Sequence, residues 1–183
     1  MTHSIQNRHI AITVDTHGAE LRSLAKDGGR RELLWQGNPQ YWEGQSPILF
    51  PTVGNSFEQT IRHGGVPYPM PKHGLVREMD FALTEQTDQS LTLEVGSTPE
   101  TLLHYPFPFR LSVQYRLEAN VLHVVFRVCN QGREPMPFML GAHPGFLLPD
   151  FCETDSLHGY LGFDVGGPLF SLGLKPGGFV WRE

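Results

Sequence analysis

The segment Phe109-Arg110-Leu111-Ser112-Val113-Gln114-Tyr115-Arg116-Leu117-Glu118 alternates apolar and polar residues without a break. Successive side chains of a β-strand point to opposite faces, so a strict period of two describes a strand with one dry and one wet face. Ala119-Asn120 can close a two-residue turn, with Asn tolerating positive φ, and Leu122, Val124, Phe126 and Val128 then line one face of a returning strand. A second hairpin is expected before it: Phe81 and Leu83, a turn at Thr87-Asp88-Gln89, then Leu91, Leu93 and Val95. Ile10, Ile12 and Val14 alternate as well, residues 21–24 can pair with residues 33–35 across Asp27-Gly28-Gly29, and His63-Gly64-Gly65-Val66 reads as a tight turn. Only residues 99–104 look helical, about one turn, with Pro106 closing it. Many short strands between turn signals predict an all-β fold, a large antiparallel β-sandwich.

The 183 residues fit one sandwich domain spanning 1–183, or one incomplete larger domain. From 149 to 183 the alternation fails and Gly-Pro clusters punctuate an irregular tail. The net charge is −5, and the 14 Lys and Arg are scattered rather than clustered. A nucleic-acid backbone requires grouped cations to displace its counterions, so no nucleic-acid partner is expected. No run approaches the roughly 18 apolar residues of a membrane span, and the first residues lack an apolar signal region. Two cysteines, Cys129 and Cys152, cannot build a disulfide framework. A cytoplasmic protein with reduced thiols and no membrane partner is the expectation.

Of nine histidines, two have informative surroundings. His73 lies in Pro71-Lys72-His73-Gly74-Leu75-Val76-Arg77, before a strand, and His143 in Gly141-Ala142-His143-Pro144-Gly145-Phe146, after one. Loops at strand ends on a rigid sheet carry most sites, and flanking Gly and Pro set the backbone without crowding the ring. Each alone equally fits a turn histidine bonded to a nearby carbonyl. No H-x-H, C-x-x-C or H-E-x-x-H spacing suggests a metal, which argues against a cupin-like metal protein. No G-x-S-x-G elbow or glycine-rich phosphate loop is present either. Acid–base chemistry or plain binding on a β scaffold remains, with no cofactor and no metal.

Three motifs carry a family resemblance: Pro47-Ile48-Leu49-Phe50-Pro51-Thr52-Val53-Gly54, then Lys72-His73-Gly74-Leu75-Val76-Arg77, then Gly141-Ala142-His143-Pro144-Gly145-Phe146. In this order they resemble the aldose 1-epimerase (galactose mutarotase-like) family, and most closely its LacX-like bacterial branch, with His-Gly-Phe-Ala-Arg and Gly-Ala-His-Pro-Ala-Phe as the counterparts. Tyr105-Pro106-Phe107 and the hairpin after it also match, so the resemblance runs from about Ile10 to about Phe146.

The resemblance implies a large β-sandwich with a sugar groove, and interconversion of the α- and β-anomers of a free aldose through ring opening. It places His143 as general acid at the ring oxygen and His73 as the histidine that hydrogen-bonds the sugar. Imidazole, with an unperturbed pKa of about 6.5, suits proton transfer near neutrality. Arg77 matches a basic residue near the groove that could bind sugar hydroxyls or a phosphate, and it equally fits a structural ion pair. Asn55 stands where the family usually has an arginine, and Gln45 where related branches have a basic residue. Asn can bond a hydroxyl but lacks a charged fork. The family's basic glutamate lies far beyond the second histidine motif, and none of Glu153, Asp155, Asp164 and Glu183 sits in a matching motif. The chain therefore resembles a mutarotase without its last third, for which weak or no catalysis is expected. A non-catalytic carbohydrate-binding or regulatory protein is the alternative, and a homodimer through exposed sheet edges is a further expectation.

Overall fold

The structure is a computed structural model; it describes residues 1–148, 151–156, 162, 164, 166–167, 173–175 and 179–181. The chain divides into two compact units, Met1–Leu147 and Leu148–Glu183. In the first, β1 (Thr2–Gln6), β2 (Ile10–Asp15), β3 (Leu21–Lys26) and β4 (Arg31–Glu32) form one antiparallel sheet in chain order. After β5 (Ile48–Leu49) and the small hairpin β6 (Thr60–His63)–β7 (Val66–Pro69) come β8 (Ala82–Gln86) and β9 (Ser90–Gly96), a one-turn helix α1 (Pro99–Leu102), then β10 (Phe109–Glu118) and β11 (Val121–Asn130). The second sheet has the order β11-β10-β9-β8, and β12 (Gly141–Ala142) pairs with β5. In the second unit β13 (Gly173–Lys175) pairs antiparallel with β14 (Phe179–Trp181). The irregular tail expected for 149–183 falls largely outside the described residues, as does Glu183.

The period-two pattern of β10 is realised in full: Phe109, Leu111, Val113, Tyr115 and Leu117 are all buried, and the residues between them are not. They join Ile5, Ile12, Val14, Leu91 and Leu93 from both sheets in one core. Burying an aliphatic or aromatic side chain of this size contributes about 1.5–3 kcal/mol. Tyr115, fully buried, donates its hydroxyl to the carbonyl of Ala19 at 2.8 Å, tying the second sheet to the turn between β2 and β3. Burial, with Glu20 adding to it, pushes its phenol well above the ordinary tyrosine range.

Two expectations are corrected. The β10–β11 turn is the two-residue Ala119-Asn120 connection, but the positive φ (51°) falls on Ala119 and not on Asn120. Asn7 braces that turn by donating to the Ala119 carbonyl at 2.9 Å. The ladder partner of β3 is Arg31–Glu32 rather than residues 33–35, of which Leu33 still donates its amide to the Leu24 carbonyl at 2.8 Å. One Glu32 carboxylate oxygen accepts from the amides of Leu24, Leu33 and Leu34, so the Leu24 amide is taken and the ladder ends after the Leu33 bond. β1, which carries His3, is a further strand that the sequence pattern does not mark, with Ile5 its one buried residue. The β8–β9 hairpin, the Gly64-Gly65 turn and the short helix lie where the sequence places them.

β11 pairs with β10 and with no other described strand, in an unbroken register from Phe109↔Asn130 to Glu118↔Val121. Val121, Val124 and Val125 are exposed by 46%, 38% and 45%, so a long apolar strand forms this edge of the sheet.

Candidate active site

The three sequence motifs meet at β5. Leu49 and Ile48 pair with Gly141 and Ala142 of β12, which brings in the second histidine loop. Phe50, the next residue, bridges in parallel to Gly74, which brings in the first. Backbone bonds complete the junction: His143 N–H to the Pro47 carbonyl at 3.1 Å, Leu75 N–H to the Phe50 carbonyl at 2.8 Å, and Met139 N–H to the Pro51 carbonyl at 2.8 Å. The Phe50-Pro51 peptide is cis. Gly74 has φ +79°, and a Cβ there would collide with the Phe50 carbonyl, so only glycine permits this approach.

The junction puts the imidazoles of His73 and His143 together, with ring centroids 6.2 Å apart and planes inclined by 59°. His143 is exposed and His73 half-buried, so both are open to a ligand. His73 sits at φ 69°, in the left-handed region that costs a non-glycine residue on the order of 1–2 kcal/mol. It is held there twice: its amide donates to the Gly54 carbonyl at 2.9 Å, and the Gly54 amide donates to His73 Nδ1 at 3.1 Å. With Nδ1 an acceptor, the neutral ring carries its proton on Nε2, pointing a donor away from the loop. Burial lowers the His73 pKa from its usual 6.5, and the positive charges of Lys72 and Arg77 and the neighbouring His143 lower it further. His73 is thus a neutral hydrogen-bond donor at neutral pH.

Arg77 lies in the one-turn 3-10 segment Val76–Glu78, where its Nε donates to Glu78 Oε1 at 2.9 Å. Together with Trp42, Pro47, Glu20 and Arg22 it lines a cavity of about 330 Å³. Asn55 is exposed in the loop after Gly54. Gln45, in contrast, is turned into the scaffold: its Nε2 donates to the carbonyls of Arg22 (3.1 Å) and Trp35 (3.0 Å), and its Oε1 accepts from Arg22 at 3.1 Å. Its carbonyl takes the Gly145 amide at 2.8 Å, so residue 45 supports the His143 loop from behind. Cavities of about 350, 640 and 710 Å³ are larger, and neither they nor the 330 Å³ cavity is lined by His73 or His143. Among the described residues no group of three or more His, Cys, Asp or Glu is placed to hold a metal ion. No helix among them is long and apolar enough to cross a membrane.

The sequence reading missed Trp42, whose ring centroid lies 5.1 Å from that of His143.

The family described as Aldose 1-epimerase matches residues 1–159. The chain belongs to the aldose 1-epimerase family. It is 34% identical over 155 residues to the protein LacX of Lactococcus lactis subsp. lactis, covering 81% of this chain and 52% of that protein. A solved galactose mutarotase related enzyme from Lactobacillus acidophilus shares 35% identity with a TM-score of 0.80, over 85% of this chain and 52% of that one. A galactose mutarotase-like protein from Lactobacillus casei shares 30% identity with a TM-score of 0.83, over all of this chain and 64% of that one. The aldose 1-epimerase match extends beyond the span 10–146 that the motifs marked, and this chain covers about half the length of the LacX relatives.

Proposed function

We propose that the His73–His143 pair binds a neutral aldose and promotes its ring opening, so that the α- and β-anomers interconvert. The supporting observation is the pair itself: two imidazoles with centroids 6.2 Å apart, open to solvent, one of them fixed in tautomer by Gly54. His143 would act as general acid at the ring oxygen, and His73 Nε2–H would hold that oxygen or a neighbouring hydroxyl. With no carboxylate assigned as general base, solvent takes the anomeric hydroxyl proton and returns it on ring closure; a general base is typically worth 10²–10⁴-fold in rate, so the acceleration expected here is small. Arg77 and Asn55 would supply hydroxyl contacts at the margin.

Charge in the cavity that Arg77 and Trp42 line favours a neutral sugar over a sugar phosphate. The guanidinium of Arg77 is engaged by Glu78, that of Arg22 reaches Glu20 at 3.1 Å, and Glu43 adds a third carboxylate to the same cavity. A phosphate there would meet carboxylates as often as cations.

Polarimetry of freshly dissolved α-glucose or α-galactose tests this reading. Equilibration should be faster with protein than without, His143→Ala should abolish the gain, and the 6-phosphates should gain less. Sugar binding with no acceleration would instead support a non-catalytic carbohydrate-binding protein, which Asn55 in place of an arginine favours.

A further inference from the structure

Apart from His73, the ring against His143 is that of Trp42, with centroids 5.1 Å apart and planes inclined by 61°. Trp42 is itself tightly seated. Its carbonyl accepts from Trp35 Nε1 at 2.7 Å, and its amide donates to the Asn38 carbonyl at 2.9 Å. Glycines make room for the indole from two distant parts of the chain. A Cβ on Gly44 would stand 2.7 Å from Trp42 Cε2 and Cζ2. A Cβ on Gly145, two residues after His143, would stand 3.0 Å from Trp42 Cζ3 and 2.8 Å from Trp35 Cβ. Contacts of this kind are tighter than side chains tolerate, so both positions are small because the indole occupies that place.

We propose that Trp42 is a positioning residue that orients the His143 imidazole towards the sugar's ring oxygen; this rests on the aldose-site reading above. The backbone bond to Pro47 fixes the His143 main chain but leaves χ1 and χ2 free, and an exposed imidazole without a neighbour samples several rotamers. Proton donation requires the ring nitrogen within hydrogen-bond reach of the oxygen. Edge-to-face packing against a clamped indole removes the competing rotamers. A displacement of about 1 Å at a proton-transferring group can cost roughly 10²-fold in rate.

Two readouts on the intact chain test this. The first needs no turnover: the His143 Hε1 and Hδ2 proton resonances, identified by their loss in His143→Ala, should be displaced by the ring current of Trp42. Trp42→Leu should return them to the positions of a solvent-exposed histidine, and Trp42→Phe should keep most of the displacement. Gly145→Ala should mimic Trp42→Leu by crowding the indole from the opposite side, which guards against a folding defect in either variant alone. The second is polarimetric: kcat should fall roughly ten- to a hundredfold in Trp42→Leu and Gly145→Ala with KM little changed, and Trp42→Phe should restore most of it. His143 resonances that do not move in Trp42→Leu would overturn the proposal, and so would a raised KM with kcat intact, which would make Trp42 a sugar platform instead. If the wild-type chain shows no turnover, the mutarotase reading fails separately, while the resonances still decide whether Trp42 orients His143.

Discussion

Gly54 and His73 bond to each other twice: the Gly54 amide donates to His73 Nδ1 at 3.1 Å, and the His73 amide donates to the Gly54 carbonyl at 2.9 Å. A side chain proposed to touch the ligand thereby also closes its own loop. Its removal should be felt in stability as well as in binding.

His73→Ala leaves the Gly54 amide without its acceptor and retains a β-carbon at φ 69°. The expected loss is about 1–3 kcal/mol, read from the shift of a urea unfolding midpoint. Asn tolerates the left-handed region and offers a side-chain oxygen, so His73→Asn should lose clearly less stability. Both variants should lose sugar affinity, because neither presents a donor where Nε2–H stands.

Acid should weaken the fold through the same residue. The His73 pKa is lowered below 6.5 in the folded protein, so near and below that pH the unfolded chain binds more protons. Stability from this source is complete above about pH 6.5, declines as the pH falls towards the lowered value, and then levels off. Unfolding midpoints measured at intervals from about pH 7.5 to 5 should fall in the wild type, and His73→Asn should flatten that fall. An equal fall in both proteins would assign the effect to other groups.

Gly74 and Gly28 have similar backbones, φ +79° and +66°, but different surroundings. Nothing lies within 4 Å of a Cβ placed on Gly28, whereas one on Gly74 would strike the Phe50 carbonyl. Gly28→Ala should cost only the left-handed penalty, about 1–2 kcal/mol. Gly74→Ala should cost more than about 3 kcal/mol, because backbone must move. Thermal melts of the two variants side by side check the difference.

The exposed edge of β11 should make the chain self-associate. The strand is ten residues long, free of proline, lysine and bulges, and carries three exposed valines. These are the conditions under which an edge recruits another strand, here that of a second copy. Sedimentation at rising protein concentration should show oligomers, and Val125→Lys should shift the distribution towards monomer without lowering the melting temperature. A wild-type chain that stays monomeric throughout would refute self-pairing.

Where the side-chain period alone decides the structure, the sequence was a sufficient guide. β10 has five inward apolar positions in ten residues, and only a strand satisfies that pattern. β1 escaped notice because Thr2-His3-Ser4-Ile5-Gln6 has one apolar residue, Ile5, and owes its strand state to the β2 ladder. The histidine motifs were legible one at a time, but their convergence depends on the two-residue pairing of β5 with β12 and on a single bridge to Gly74. Neither leaves a periodic trace. Trp42 was invisible as a site residue for the same reason: its partner lies on a loop distant in the chain, and no local pattern announces the contact.

That the motifs hang from so short a strand has a consequence for how the protein would fail. Both sheets have long ladders, whereas the exposed His143 loop is held to them by the two-residue pairing of β5 with β12 and a few amides around residues 47–51. Regions of low local stability open on their own, well before global unfolding. Loss of the ligand site should therefore precede loss of the sandwich on warming, and hydrogen exchange should find the amides of Met139 and His143 among the first to open and the ones a bound sugar slows most.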